Sequence, residues 1–200
     1  MKVFLHDRIR QLSTLLQSCN GLIIKHNEGA SGWIEALDDL LDQMATTYEA
    51  LHLIDHQASC LEFKAQLQMA RRGIDPLTLV RQTTQRRDFE SRIAFKLLMA
   101  CSEQLRVDLK ADRASLKSAH EQLANILLAA LQNGLVAEVG LDLAAPTQAM
   151  LEVFWRRAVL DIQLGLAAKQ VAIAVSLPDV VLMLWELAGD ASLTTSLAQD

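Results

Sequence analysis

Two hundred residues with a 51% apolar fraction and 22% charged residues can bury a core without metal or disulfide staples, which excludes wholesale disorder. Three cysteines with no CxxC spacing exclude a secreted disulfide framework and fit a reducing cytoplasm. The net charge of −5 argues against nucleic acid as the main partner.

Helix breakers are missing from long stretches. No Gly or Pro occurs from Trp33 to Arg72, or from Leu77 to Asn133. Over a background of Ala, Leu, Gln, Arg and Glu, this punctuation predicts an all-α fold. The expected architecture is a single-domain antiparallel helical bundle of about six to seven helices over residues 1–189, with a frayed tail at 190–200.

In chain order, the N-terminus carries one Lys and then Asp7 and Arg8, which is not the pattern of a signal peptide. Leu5, Ile9, Leu12, Leu16, Cys19 and Ile23 form an a/d seam on a first helix, and Asn20-Gly21 marks its expected end. Ser31 is the expected cap of a second helix, whose seam runs through Leu37, Leu41, Met44, Tyr48, Leu51, Ile54, Ala58 and Leu61 to a stop at Arg71-Arg72-Gly73. Straight, that helix would be about 60 Å long, so a kink, with Ser59-Cys-Leu-Glu62 as an internal cap, or a protruding helix is expected. Asp75-Pro76 opens the next helix.

The tract from Leu77 to Asn133 would reach about 85 Å as one rod, against about 40–45 Å for a single globule of this length. Breaks are therefore expected at Asp88, Asp112 and the capping box Ser118-Ala-His-Glu121, giving helices near 76–85, 88–110 and 113–133. Residues 135–145 read as a linker, and Pro146 starts a helix carrying Met150, Phe154, Ala158 and Ile162. Residues 171–177 fit helix or strand, and their Ala neighbours favour helix. Ser176-Leu-Pro-Asp179 has the form of a capping box, and Gly189 is the expected end of the last helix. The apolar run 158–188 is interrupted by Asp161, Lys169, Asp179 and Glu186, so it reads as buried and not as a membrane span.

Charge is segregated. Residues 27–63 carry eight acidic side chains and no Lys or Arg, whereas 64–117 carry twelve basic against six acidic. The first explanation is internal: an acidic helix packs antiparallel to a basic one. The second is an acidic face at Asp38, Asp39 and Asp42 that recruits a basic partner. A nucleic-acid face at Arg71, Arg72, Arg81, Arg86, Arg87 and Arg92 comes third, without the interleaved aromatics that such a face needs.

The chemical candidate is Glu49, His52 and His56, followed by Cys60. On an unbroken helix, residues four apart share a flank and can offer two imidazoles to one metal. Glu49-x-x-His52 also has the spacing of one element of di-iron bundles, but no second Glu-x-x-His is present. His120 falls inside the Leu116–Leu123–Leu127 stripe and reads as a core histidine. The cadence from Leu166 to Leu187 suggests a helix-turn-helix, but Val180 to Trp185 is too apolar to read bases. No nucleophile elbow or phosphate loop occurs.

These residues predict a non-catalytic cytoplasmic helical adaptor, chaperone or regulatory subunit, with no cofactor. It would bind another protein, or itself as a homo-oligomer, through Asp38, Asp39, Asp42 and Trp185. The rival reading is a metal- or ligand-binding bundle, an oxidoreductase centred on Glu49, His52 and His56. A nucleic-acid-binding regulator is the third.

Overall fold

The structure, a computed structural model, describes residues 4–81 and 86–197, the last eight by backbone alone. Among these residues the chain is all-α, with eight helices and no strand. They are α1 (Leu5–Asn27), α2 (Trp33–Ala50), α3 (Ile54–Arg71), α4 (Arg86–Gln132), α5 (Leu135–Glu138), α6 (Gln148–Leu160), α7 (Gly165–Ala174) and α8 (Leu177–Leu197). The chain divides into two compact units, one of residues 8–110 and one, the terminal unit, of residues 1–7 with 111–200. The division falls inside α1 and inside α4.

Several predicted boundaries move, each for a physical reason. Gly21 lies within α1, which runs on to Asn27; its backbone is ordinary helix, so Asn20-Gly21 is no stop. The cap of α2 is Gly32 at φ 79°, not Ser31. The Asp75-Pro76 segment makes a turn, in which the Asp75 carboxylate accepts from the Leu77 and Thr78 amides at 2.8 and 3.3 Å. No helix opens there, and the rest of the helix expected at 76–85 lies partly outside the described residues. From Arg86 to Gln132 the chain is one helix of 47 residues, about 70 Å long. The break expected at Asp112 rested on a single globule; with two units, α4 gives one stretch of its length to each. The 135–145 linker is instead α5 and a turn, and it buries Leu135, Val136 and Leu141. The backbone of α8 continues past Gly189 to Leu197, and residues 198–200 of the expected tail lie outside the described residues.

In the 8–110 unit, α1 buries Leu12, Leu15, Cys19 and Leu22, a 3-4-3 spacing shifted from the predicted seam. Leu16 and Ile23 are half-buried. Helices α2 and α3 form an antiparallel hairpin: Asp38 lies 2.6 Å from Arg71, and Asp42 pairs with Lys64, so residue numbers run in opposite directions. These pairs join acidic side chains of 27–63 to basic ones of 64–117, but between two parts of the stretch expected as one helix. Helix α3 carries Asp55 and Glu62 beside Lys64 and Arg71, so it is not the basic helix that the charge pattern predicts. His26 is held between aromatic rings, stacked on Phe95 at 4.1 Å and edge-on to Trp33 at 4.8 Å.

The terminal unit packs α5 to α8 and the second part of α4 around Phe154, Leu151, Leu123 and Val171. Residues 165–174 are helix, which resolves the ambiguity at 171–177, and Val175 is extended. Gly165 sits where an added Cβ would come within 2.9 Å of the Val159 carbonyl oxygen, so only glycine lets α7 start this close to α6.

The chain's N-terminal turn is fixed by Asp179, which is fully buried. Its carboxylate accepts from the Leu5 and His6 amides at 2.9 and 3.1 Å, satisfying two of the orphan N–H groups at the start of α1. His6 Nδ1 is 2.7 Å away. The same carboxylate accepts from the Ser176 amide at 3.2 Å and its hydroxyl at 2.6 Å, while Ser176 Oγ accepts from the Asp179 amide at 3.4 Å. That is the predicted capping box of α8. Burial alone would raise the Asp179 pKa, but the hydrogen bonds from Ser176, Leu5 and His6 outweigh it and hold the carboxyl below its ordinary value.

Asp179→Ala should therefore cost about 3 kcal/mol, since it strips caps from two helices and leaves buried amides unpaired. The depressed pKa also fixes a sign. The stability from Asp179 is fully present above about pH 3.9, the unfolded value, and is lost as pH falls through the lower folded value. Acid titration of unfolding should show this loss in the wild type and a shallower one in Asp179→Asn.

Candidate functional site

The flank predicted for Glu49, His52 and His56 does not form, because the helix ends between them. The Leu53 amide donates to the Tyr48 carbonyl at 2.8 Å and the His52 amide to Glu49 at 3.0 Å, the pair of bonds that closes a Schellman motif. His52 is its left-handed residue, at φ 57°. Glycine holds the equivalent place after α1, α3 and α5, at positions 29, 73 and 140. Glu49 thus ends in the last turn of α2, His52 points outward from the turn as an exposed residue, and His56 starts α3. The restart also rotates the predicted seam, leaving Ile54 and Leu61 exposed and burying Cys60, Leu67 and Ala70 instead. Among the described residues, no group of three His, Cys, Asp or Glu is placed to hold a metal.

What the break does create is a polar cluster on a cavity. Asp108 Oδ1 lies 3.2 Å from His56 Nε2 and accepts from Gln104 Nε2 at 3.1 Å. Gln104 and His56 line a cavity of about 110 Å³ together with Tyr48, Met44, Phe63 and the two cysteines Cys60 and Cys101. The Tyr48 and His56 rings are 5.2 Å apart. Tyr48 is 1% exposed, and its buried hydroxyl meets no hydrogen-bond partner among the described residues. Burial first, then the nearby Asp108 carboxylate, pushes its phenol pKa far up, so the hydroxyl keeps its proton.

Three free thiols surround this cluster. Burial raises Cys19 and Cys60 to about 11 and Cys101 further. Cys60 follows His56 by one helical turn and Asp108 supports His56, an order that resembles a nucleophile, a base and an orienting carboxylate. The chemistry differs: a thiol with a pKa near 11 supplies almost no thiolate at neutral pH.

His56 and Cys60 carry a sequence signal, whereas Tyr48, Gln104 and Asp108 join them only in the fold. Gln104 and Asp108 are four apart on α4 and so share a flank. That spacing alone could not show which histidine they meet.

The acidic candidates are distributed differently. Asp38 accepts from Arg71 at 2.6 Å and from Gln68 at 3.2 Å, Asp42 pairs with Lys64, and Asp39 is exposed. Of the six arginines of the nucleic-acid reading, Arg71, Arg86 and Arg92 are engaged, and Arg72, Arg81 and Arg87 are exposed. Arg71 lies 3.7 Å from Glu90 as well, Arg86 donates to the Arg71 carbonyl, and Arg92 lies over the Phe89 ring at 5.8 Å. His120 is half-buried, beside a surface pocket shared with His6, Lys117 and Glu186.

In the terminal unit, α7 and α8 bend by 118°, within the range of helix-turn-helix motifs. The second helix, however, buries Val180, Val181, Met183 and Leu184 and presents Leu182, Trp185 and Glu186, none of which carries a positive charge for a phosphate. Trp185 is 51% exposed, whereas Trp33 and Trp155 are buried. Beside it runs an apolar groove of about 320 Å³, walled by Phe4, Leu177, Pro178, Val181 and Leu182, with Gln148 and Glu152 on its rim. No single helix among the described residues is long and apolar enough to cross a membrane.

His52→Gly should stabilise the chain by about 1 kcal/mol, because glycine takes the left-handed conformation without the Cβ penalty. Thermal unfolding of the variant checks it, and a lower midpoint would mean that the imidazole has a structural partner. The thiols should resist labelling: Ellman's reagent at pH 8 should find under one equivalent in the native chain and three after denaturation.

No protein-family model, curated protein or solved structure matches this chain.

Proposed function

We propose that this chain is a non-catalytic helical adaptor, chaperone or regulatory subunit, and that it receives a basic amphipathic helix of a partner protein in the groove beside Trp185. The observation that carries the reading is the apolar surface of α8 around that groove, where Leu177, Leu182 and Trp185 are 41%, 38% and 51% exposed. Single exposed hydrophobics are ordinary, but several around one concavity mark a binding surface.

Charge selects the occupant. Residues 8–110 carry thirteen basic and thirteen acidic side chains, whereas the terminal unit carries six against eleven. The whole net charge of −5 therefore belongs to the unit that holds the groove. Glu152 lines the groove, where its carboxylate already accepts from Gln148 and Arg156 at 2.9 and 3.3 Å. Glu186 follows Trp185 but lines the separate pocket of His6, Arg113, Lys117 and His120, so the selecting charge is the unit's net excess of carboxylates. A helix with an apolar stripe at i, i+3, i+4 and i+7 and Lys or Arg on its flanks complements both features. Three free cysteines suit a reducing compartment such as the cytoplasm.

Trp185 supplies its own probe, being the exposed one of three tryptophans. Titration with a synthetic amphipathic helix of Leu and Lys should shift its fluorescence to the blue and saturate. The same peptide with Glu for Lys should bind at least tenfold more weakly, and Trp185→Ala should abolish capture while leaving the helical circular dichroism unchanged. Equal binding of both peptides would overturn the charge argument. A wild-type dimer that Trp185→Ala makes monomeric would replace the partner helix with a second copy of this chain.

A further inference from the structure

Independently of the groove, we infer that the terminal unit binds a small aliphatic monocarboxylate in the pocket between α4 and α8. Arg113 and Lys117 hold its carboxylate, and Leu116 and Met183 its carbon chain. The observation that carries this is a convergence of positive chemistry in an acidic unit. The unit has six basic side chains against eleven acidic, and its histidines are His6 and His120. Both histidines line one pocket of about 290 Å³ together with Arg113 and Lys117, close to the lower bound of small-molecule sites.

Local structure explains the convergence. Arg113, Leu116, Lys117 and His120 are spaced i, i+3, i+4 and i+7 on α4, so they share one face. Opposite them lie His6 from the first turn of α1, and Met183 and Glu186, three apart on α8. His6 is already oriented, because its Nδ1 lies 2.7 Å from the buried Asp179 carboxylate. That carboxylate is held ionised and can only accept, so Nδ1 carries the proton and Nε2 is the ring nitrogen left for a ligand. Among the described residues the Arg113 and His120 side chains meet no hydrogen-bond or ion-pair partner. Lys117 has Glu121 at 3.9 Å, an exposed i,i+4 pair that an incoming anion can displace.

The charges select the anion. Arg113 and Lys117 outweigh the Glu186 carboxylate by a single positive charge, which matches one carboxylate and not a dianion. The Arg113 guanidinium offers a carboxylate two parallel N–H donors. Met183 is buried and Leu116 half-buried, and these give a short carbon chain an apolar wall.

The test follows the imidazole proton resonances of His6 and His120 while the full chain is titrated with hexanoate at constant neutral pH. 1-Hexanol serves as the uncharged probe, hexylamine as the cationic one and inorganic sulfate as the dianion. The expected result is a saturable shift of both histidines with a dissociation constant below about 5 mM, and about tenfold weaker binding in Arg113→Gln. The other three probes should each bind at least tenfold more weakly than hexanoate. Arg113 is exposed, so Arg113→Gln should keep the wild-type thermal midpoint; if it does not fold, Lys117→Gln supplies the same comparison. Histidines that do not respond to hexanoate would overturn the site, as would a response at Trp185 alone, which would place the chain in the groove. Equal affinity for 1-hexanol or hexylamine, unchanged affinity in the folded variant, or tighter binding of sulfate would overturn it too.

Discussion

One carboxylate holds the terminal unit's ends together. Asp179 is buried, yet it is surrounded by donors: two amides from the first turn of α1, and the amide and hydroxyl of Ser176 at the start of α8. Both helices direct the positive end of their dipole at it, which favours the ionised form. A buried charge without such partners would be severely unfavourable, so the fold can keep Asp179 only if α1 begins at Leu5 and α8 begins after Ser176. The position of α8 in turn determines which of its side chains meet Phe154 and Val171 in the core, and which, Leu182 and Trp185 among them, face outward. The groove is thus a downstream result of a capping interaction.

The all-α class was legible because helix formers and the spacing of Gly and Pro agree with one another. The capping box at Ser176 was legible for the same reason: a short local pattern with a local cause. His52 was not. Its turn uses the same two backbone bonds as the turns at Gly29, Gly73 and Gly140, but with a residue that carries no glycine signal. Histidine tolerates the left-handed region better than most side chains, so it can take the place that glycine marks elsewhere. Missing that turn misplaced Ile54, Ala58 and Leu61 on the core face, and it joined Glu49, His52 and His56 on a flank that does not exist. The length of α4 was missed for another reason. Residue spacing does not reveal whether a chain forms one unit or two, and a helix shared by two units is not bounded by the diameter of one.

Charge pairing accounts for part of the acid-rich segment and leaves part of it open. Asp38 and Asp42 are tied to α3, where they fix the antiparallel partner of α2 more than they add stability, exposed pairs being worth little each. The 8–110 unit is electrically balanced by this arrangement. The terminal unit is not: it carries eleven acidic against six basic side chains.

The link between the start of α1 and Asp179 spans 173 to 174 positions of sequence. During synthesis at about 5–20 residues per second, roughly 10–35 s separate the appearance of Leu5 from that of the carboxylate that caps it. The 8–110 unit is contiguous and can assemble in that interval from the middle of the chain as it emerges. The terminal unit cannot, since it needs both ends at once. Throughout that wait the first turn of α1 has no cap and Leu5 no core to enter. Translation order therefore imposes a sequence of events, with the balanced unit first and the acidic, groove-bearing one last, so the groove exists only after Asp179 has been made.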